Sequence, residues 1–200
     1  EMCIRDRDLS MQKFSRDSFN VNEAINELMH ESGVIVIENA YNLNDIKEAR
    51  EIVNHFADTE EQKETHFNAE AEASKQIKLQ QRIWNLFGKG DIFSKLISDD
   101  IIFSLMSKLL GSEFFCGSYC GSRLLPGSLG QELHIDYPYW DFYNSETFPM
   151  GLNSSFAQNC QATIPLDICS EVSGATTYIP RSQKKLHYPN ENDDFSNKQQ

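Results

Sequence analysis

The spacing of hydrophobic residues changes about halfway along the chain, from a helical to a strand-like pattern. In the first half, apolar residues recur every three or four positions, which is typical of amphipathic helices. The predicted helices lie at 22–31, 42–70 and 91–110. A β-branched run at 33–38 predicts a strand between the first two helices. In the second half, short apolar runs separated by Gly, Pro, Asn and Ser predict further strands. These lie at 114–125, 132–139, 156–166 and 175–180.

Helices followed by strands favour an α+β fold in which the helices support an antiparallel sheet. The 200 residues fit one domain that is large enough to bury a core. Residues 1–10 follow neither pattern and precede Met11, so we expect a non-native leader there and a single domain over 11–200. Because residues 192–200 resemble an interrupted loop and add no closing element, we expect that domain to be truncated before its last strands.

The composition limits the classes of partner. A net charge of −12 argues against nucleic acid, whose phosphates require Lys and Arg, and against an anionic membrane surface. No apolar run reaches the roughly 20 residues of a membrane helix, and no signal peptide is visible, so we expect a cytoplasmic protein. Five cysteines without a Cys-x-x-Cys pair are interpreted as buried thiols rather than a zinc site or disulfides. The composition indicates no particular oligomeric state.

His134-Ile135-Asp136 is the most informative stretch of the chain. On a strand, residues two positions apart share a face, so an imidazole nitrogen and a carboxylate oxygen would point at one position. These are two corners of the 2-His-1-carboxylate triad, which holds non-haem Fe(II) and leaves coordination positions open. So short a motif also occurs by chance. The competing interpretation is a surface strand whose histidine and aspartate only form hydrogen bonds.

The surroundings of this pair resemble the phytanoyl-CoA dioxygenase-like family of Fe(II)- and 2-oxoglutarate-dependent oxygenases. Pro126-Gly127, Gln131 and the His134–Asp136 pair are similar to the family's Pro-Gly…Gln-x-x-His-x-Asp. The stretch 136–140, Asp-Tyr-Pro-Tyr-Trp, resembles the ectoine hydroxylase branch.

A second segment, at 164–184, resembles a later part of the same family pattern. It contains Ser173-Gly174 where the family has an Asn-Gly turn, and Pro-Arg-Ser-Gln-Lys at 180–184 where the family has Pro-Gly-Ser-His-Lys. The departures are Ser173, Arg181 and Gln183, and none of them is at a metal-ligand position. The resemblance covers about residues 30–188.

The resemblance implies a fold, a reaction and site residues. The fold is a double-stranded β-helix, or jelly roll, with supporting N-terminal helices. The reaction is hydroxylation of a small organic substrate with Fe(II), O2 and 2-oxoglutarate, releasing succinate and CO2. His134 and Asp136 are the implied metal ligands, and the presence of Asp136 favours hydroxylation over halogenation. Thr163 corresponds to a 2-oxoglutarate-pocket position and Trp140 to a substrate-pocket position. As alternatives, Thr163 is an ordinary strand residue and Trp140 part of an aromatic core.

The third metal ligand is not evident. His187 is the only histidine after the pair, but it follows the Pro-Arg-Ser-Gln-Lys segment sooner than the family's distal histidine does. We therefore expect that histidine, and the arginine that binds 2-oxoglutarate, beyond residue 200. Arg123 and Arg181 match no family position and are interpreted as surface residues, and Arg82 as part of a solvated helix face.

Two other functions remain open at this point. One is a non-enzymatic jelly-roll, cupin-like binding module, because fold does not determine function. The other is a metal enzyme that does not use 2-oxoglutarate. If the protein is an oxygenase, the acidic composition favours a free small metabolite over an acyl-CoA substrate, whose phosphates would suit a basic surface.

Overall fold

The computed structural model describes residues 11–62, 79–136, 155–185, 187–190, 192, 196 and 198–199. Within these ranges, helices and short strands alternate along the first 124 residues. The strands are β1 (Gln12–Ser15), β2 (Ile35–Glu38), β3 (Gln80–Ile83) and β4 (Gly121–Leu124). The helices are α1 (Val21–His30), α2 (Leu43–Thr59), α3 (Asp91–Ile97) and α4 (Asp100–Leu110). Single 3-10 turns occupy Arg16–Ser18, Leu86–Gly88, Glu171–Ser173 and Ser182–Lys184.

The first two helices form where the pattern predicts them, and asparagine side chains start both. Asn20 Oδ1 accepts from the backbone N–H of Asn22 at 3.0 Å, and Asn42 Oδ1 accepts from that of Asn44 at 2.8 Å. α2 ends at Thr59, whereas the pattern predicted a helix to residue 70, of which 63–70 lie outside the described residues. The first two helices are therefore confirmed over most of their predicted length.

The predicted helix at 91–110 is two helices. Asp99 has an extended backbone, and its Oδ1 accepts from the N–H of Ile101 at 3.0 Å, which starts α4. An aspartate side chain competes for backbone donors in this way and favours a helix start over a helix interior. The single-helix prediction was wrong because the apolar stripe continues across this break.

The described residues contain two small sheets. β1 pairs with β2 in parallel, and β3 pairs with β4 in antiparallel fashion with Gln80 opposite Leu124. The predicted strand at 114–125 shortens to β4, and 156–166 contains no strand. In 175–180 only Tyr178 forms a bridge, to Gln199. The mixed helix-and-strand class is confirmed, but these residues do not show a double-stranded β-helix. The spacing of apolar residues indicates which side chains are buried. It does not indicate whether another strand lies alongside to form the backbone hydrogen bonds of a sheet.

The main core lies between α2, the antiparallel β3–β4 pair and α3. Ala49, Val53 and Ala57 recur every four residues on α2 and are at most 4% exposed. The other buried members are Ile83, Leu86, Ile92, Phe93 and Leu96. A second cluster of Phe14, Ala24 and Leu105 packs α1 against α4. None of the helices in the described ranges is long and apolar enough to cross a membrane.

Candidate metal centre

A tight turn after β4 starts the segment that carries the candidate ligands. The N–H of Ser128 donates to Leu125 O at 3.0 Å, and Gly127 between them has φ +88°. Proline at the second position and a left-handed glycine at the third are typical of a type II turn. Ser128 Oγ lies 3.0 Å from Leu79 O and 2.7 Å from Leu125 O. The Pro126-Gly127 motif therefore connects β4 to the segment that leads to His134.

The side chains of His134 and Asp136 come together. His134 Nε2 lies 3.5 Å from Asp136 Oδ1, and His134 Nδ1 lies 2.6 Å from the carbonyl oxygen of Glu132. A carbonyl oxygen can only accept, so in this contact the Nδ1–H donates to Glu132. Nε2 is the ring nitrogen on the side of the carboxylate. This is the hydrogen-bond arrangement that usually orients a histidine ligand.

The donor set fits a divalent transition metal. An imidazole nitrogen and a carboxylate oxygen are two of the donors of a non-haem iron site. Two ligand atoms about 2.1 Å from one ion are at most about 4.2 Å apart, so a separation of 3.5 Å allows both to bind it. Both side chains are nearly half exposed, at 47% and 44%, which leaves room for further ligands.

The pair does not lie on a strand. Residues 131–136 form none, and 137–139 of the predicted strand lie outside the described residues. The prediction of convergence is confirmed, but its stated cause, alternation on a strand, is wrong. A local loop fixed by the Glu132 carbonyl has the same effect on residues two positions apart.

The part of the chain that the structure describes does not complete a triad. It contains no group of three His, Cys, Asp or Glu side chains that could hold a metal. His187 is placed in its own turn, where Nδ1 lies 2.9 Å from Tyr188 O and 3.2 Å from Asn190 Nδ2. The structure therefore places two of the predicted ligands together and does not add His187 to them.

Thr163 lies at the start of an anchored segment. Its neighbours Ile164 and Leu166 pack against the main core, and Arg50 Nη1 on α2 lies 2.7 Å from Asp167 Oδ1. Thr163 itself is exposed and not on a strand. Among the described residues, no hydrogen bond or ion pair joins it to either candidate ligand. Trp140 lies outside the described residues.

The two family-like segments approach each other at the end of β4. Gly174 has φ +83°, and a Cβ built on it would lie 3.1 Å from Leu124 Cδ1. Leu124 is two residues before Pro126. Ser173 forms a reciprocal turn with Ser170, since its Oγ accepts from the Ser170 N–H at 2.8 Å. A serine thus fixes this turn where the family pattern has asparagine.

The segment 180–184 closes the C-terminal end of α1. Gln183 Nε2 donates to Leu28 O at 3.0 Å and to Glu31 O at 3.2 Å, and Lys184 Nζ donates to His30 O at 2.6 Å. These are carbonyls that a helix end leaves without helical partners. Arg181 has φ +65°, where the family pattern has glycine, and its guanidinium lies 3.2 Å from Glu31 Oε2. We call residues 181–184 the α1 clasp.

The family model for phytanoyl-CoA dioxygenase matches residues 29–200. The chain belongs to the phytanoyl-CoA dioxygenase family. The match includes the His134–Asp136 pair, the Gly174 turn and the α1 clasp, and the resemblance predicted from the motifs is confirmed. The chain matches none of the curated proteins.

Family membership gives the general class of activity, an oxygenase of the Fe(II) and 2-oxoglutarate type. The family match does not identify a branch of the family, so the resemblance to the ectoine hydroxylase branch stays a prediction. The departures at Ser173, Arg181 and Gln183 all have structural partners in this phytanoyl-CoA dioxygenase family member.

Two arginines differ from the sequence interpretation. Arg123 was expected on the surface, but its side chain is 22% exposed and bridges β4 to β3 and α2. Its Nε donates to Gln81 Oε1 at 2.7 Å and its Nη2 to Asp58 Oδ1 at 2.6 Å. The hydrogen bond from Arg123 lowers the pKa of the Asp58 carboxyl. Arg82 lies on strand β3 and not on a helix, so that prediction was wrong.

The cysteines in the described ranges are free thiols, but not all are buried. Cys116 and Cys169 are exposed, which contradicts the prediction for them, and Cys120 and Cys160 are half-buried. Burial raises the pKa of Cys160 to about 11. Cys3 lies outside the described residues.

Sequence reasoning missed the buried glutamines of β3. Gln80 and Gln81 are 5% and 8% exposed and form side-chain hydrogen bonds to Leu129 and Ala57. The stretch Leu-Gln-Gln-Arg-Ile has no apolar alternation and therefore no strand signal.

Proposed function

We propose that this protein is an Fe(II)- and 2-oxoglutarate-dependent oxygenase that hydroxylates a small organic substrate in the cytoplasm. The observation that carries the proposal is the His134–Asp136 pair within a chain that matches the phytanoyl-CoA dioxygenase family. The net reaction converts 2-oxoglutarate, O2 and a substrate C–H group into succinate, CO2 and a C–OH group. One oxygen atom enters succinate and the other enters the product.

The chain's own residues hold and orient the reacting groups. His134 supplies Nε2 as a ligand atom while the Glu132 carbonyl fixes its ring, and Asp136 supplies a carboxylate oxygen. Iron, when bound, supplies the oxygen chemistry. Thr163 is proposed to line the 2-oxoglutarate pocket and Trp140 the substrate pocket. Retention of a carboxylate at residue 136 supports hydroxylation and not halogenation.

The decisive assay measures succinate released from 2-oxoglutarate with Fe(II) and ascorbate, against a metal-free blank. We expect the full-length protein to release succinate and its His134→Ala and Asp136→Ala variants to release none, because each removes a ligand. His30→Ala is the matched control, since His30 is an exposed histidine on α1. His187→Ala should also keep activity. Succinate release by the His134 variant at the wild-type rate would refute the metal assignment.

A second candidate is a non-enzymatic binding module, and one observation favours it. The described residues bring together two metal ligands and not three. This alternative predicts no succinate under any metal condition. A metal enzyme without 2-oxoglutarate would bind Fe(II) and consume O2 whether or not 2-oxoglutarate is present. The same assay, with O2 uptake recorded, separates all three functions.

The substrate class is tested by adding candidate small metabolites to the same assay. The stretch 136–140 supports trying a cyclic amino-acid-like solute such as ectoine first. Stimulation of succinate release by an acyl-CoA and not by free metabolites would contradict the proposed substrate class.

A further inference from the structure

The segment that carries the candidate ligands has little regular structure of its own. Residues 125–136 belong to no strand or helix in the described structure. A ligand pair on such a segment keeps its position only if neighbouring groups hold the backbone. The groups that hold this segment therefore bear on metal binding.

Gln80 is in the right place to do this. Gln81 and Ile83 face α2, since Gln81 Nε2 donates to Ala57 O and Ile83 belongs to the α2 core. Side chains alternate along a strand, so Gln80 points away from α2. There, its Nε2 donates to Leu129 O at 2.7 Å. Leu129 lies five residues before His134.

The environment of Gln80 makes this contact specific. Its side chain is 5% exposed, so water cannot readily replace a lost hydrogen bond. An apolar residue would fill the same volume, but it would not fix the direction of a backbone carbonyl, because only a hydrogen bond depends on that direction. The contact spans 49 residues of sequence and connects β3 directly to the ligand segment.

We propose that Gln80 is a positioning residue for the metal centre: its amide holds the backbone at Leu129 so that His134 and Asp136 stay together. This inference rests on the proposed function. Hydrogen bonds made directly to a metal ligand change metal affinity by about 10- to 100-fold in other proteins. Gln80 acts one step further back, on the backbone at Leu129, so the lower end of that range is expected.

The test compares two buried glutamines that are adjacent in sequence. Gln80→Met keeps the side-chain volume and removes the donor to Leu129. Gln81→Met removes hydrogen bonds to Arg123 and Ala57 on the opposite face and leaves the ligand segment alone. Co(II) is the probe, and its dissociation constant is measured by titration of the Co(II) absorption bands. Thermal unfolding of both variants controls for general stability.

We expect Gln80→Met to weaken Co(II) binding about tenfold. Gln81→Met should bind Co(II) with a dissociation constant within about twofold of wild type. Its melting temperature should nevertheless fall at least as far as that of Gln80→Met. Hydrogen exchange gives a second readout without metal: amides of 129–136 should exchange faster in Gln80→Met and those of α2 should not.

The outcomes separate the two proposals. Wild-type affinity and exchange in Gln80→Met, or equal loss of affinity in both variants, would overturn the positioning role and leave the oxygenase proposal standing. Wild-type protein that binds no Co(II) would instead refute the metal centre itself, and the role of Gln80 with it.

Discussion

Replacing Gly121 by alanine should separate β4 from α2. A Cβ at this position would lie 3.1 Å from Val53 Cγ2 and 3.6 Å from Ile83 Cβ, so a shift of a few tenths of an ångström is required. Val53 is 4% exposed on the face of α2 that contacts β3 and β4, and it has little room to move. Gly121 is thus a point of close contact between α2 and β4, the strand that precedes the ligand segment.

The expected cost follows from two opposing effects. Overpacking a filled core costs about 1–3 kcal/mol, whereas alanine in place of glycine gains roughly 0.5–1 kcal/mol in a strand. Because the overpacking cost exceeds that gain, Gly121→Ala should destabilise the protein by about 1 kcal/mol. Val53→Ala alone should cost about 2 kcal/mol, from two buried methyl groups and a small cavity. In the double variant the new methyl group occupies that cavity, so the total should be about 2 rather than 3 kcal/mol.

Urea unfolding of the four proteins measures these free energies. Gly117→Ala is the matched control, because a Cβ there would meet its nearest neighbour at an ordinary 3.9 Å. It should change stability by less than about 0.5 kcal/mol. A Gly121→Ala protein as stable as wild type, or strictly additive effects in the double variant, would refute the close packing of β4 on α2.

Three further predictions concern single side chains. Arg181→Gly should leave stability within about 0.5 kcal/mol of wild type, because relief of the left-handed backbone offsets loss of the Glu31 ion pair. Arg181→Val should cost more than about 1 kcal/mol in the same urea assay, and equal stability of the two variants would contradict the assigned φ. Burial raises the pKa of Tyr41 and of Tyr119 to about 12. The stability that these phenols contribute is present below pH 10 and is lost between about pH 10 and 12, and tyrosinate absorbance should show a late step that each Phe variant reduces. The pKa of Asp58 is lowered, so its stabilising pairing with Arg123 holds above about pH 4 and is lost at lower pH. The stability difference between wild type and Asp58→Asn should shrink below that pH, and a constant difference would exclude this pairing.

Local signals in the sequence were enough for the early helices and for the ligand pair. α1 and α2 combine an apolar stripe with an asparagine at the start, and both features act within a few residues. His134 and Asp136 are close in space because they are close in sequence. The two side chains therefore meet as predicted, although residues 132–136 do not form the strand that was predicted to carry them.

Features that depend on distant partners were not predictable in this way. β3 exists because β4, about 40 residues later, pairs with it, and its own residues carry no strand pattern. The apolar residues Ile164 and Leu166 looked like strand positions but are used to cover the α2 core. Arg123 is recognisable as a bridging residue only once Gln81 and Asp58 are placed beside it. Contacts of this kind are set by the tertiary fold and override local preference.

The α1 clasp has a consequence for how the protein matures. Lys184 and the carbonyl of His30 are 154 positions apart in the chain. At about 5–20 residues per second, a ribosome needs roughly 8–30 s to make the chain between them. Throughout that interval the end of α1 must satisfy its carbonyls with water. The helix that is synthesised first among the described elements is thus among the last to be closed, and a long closure of this kind is slow to form.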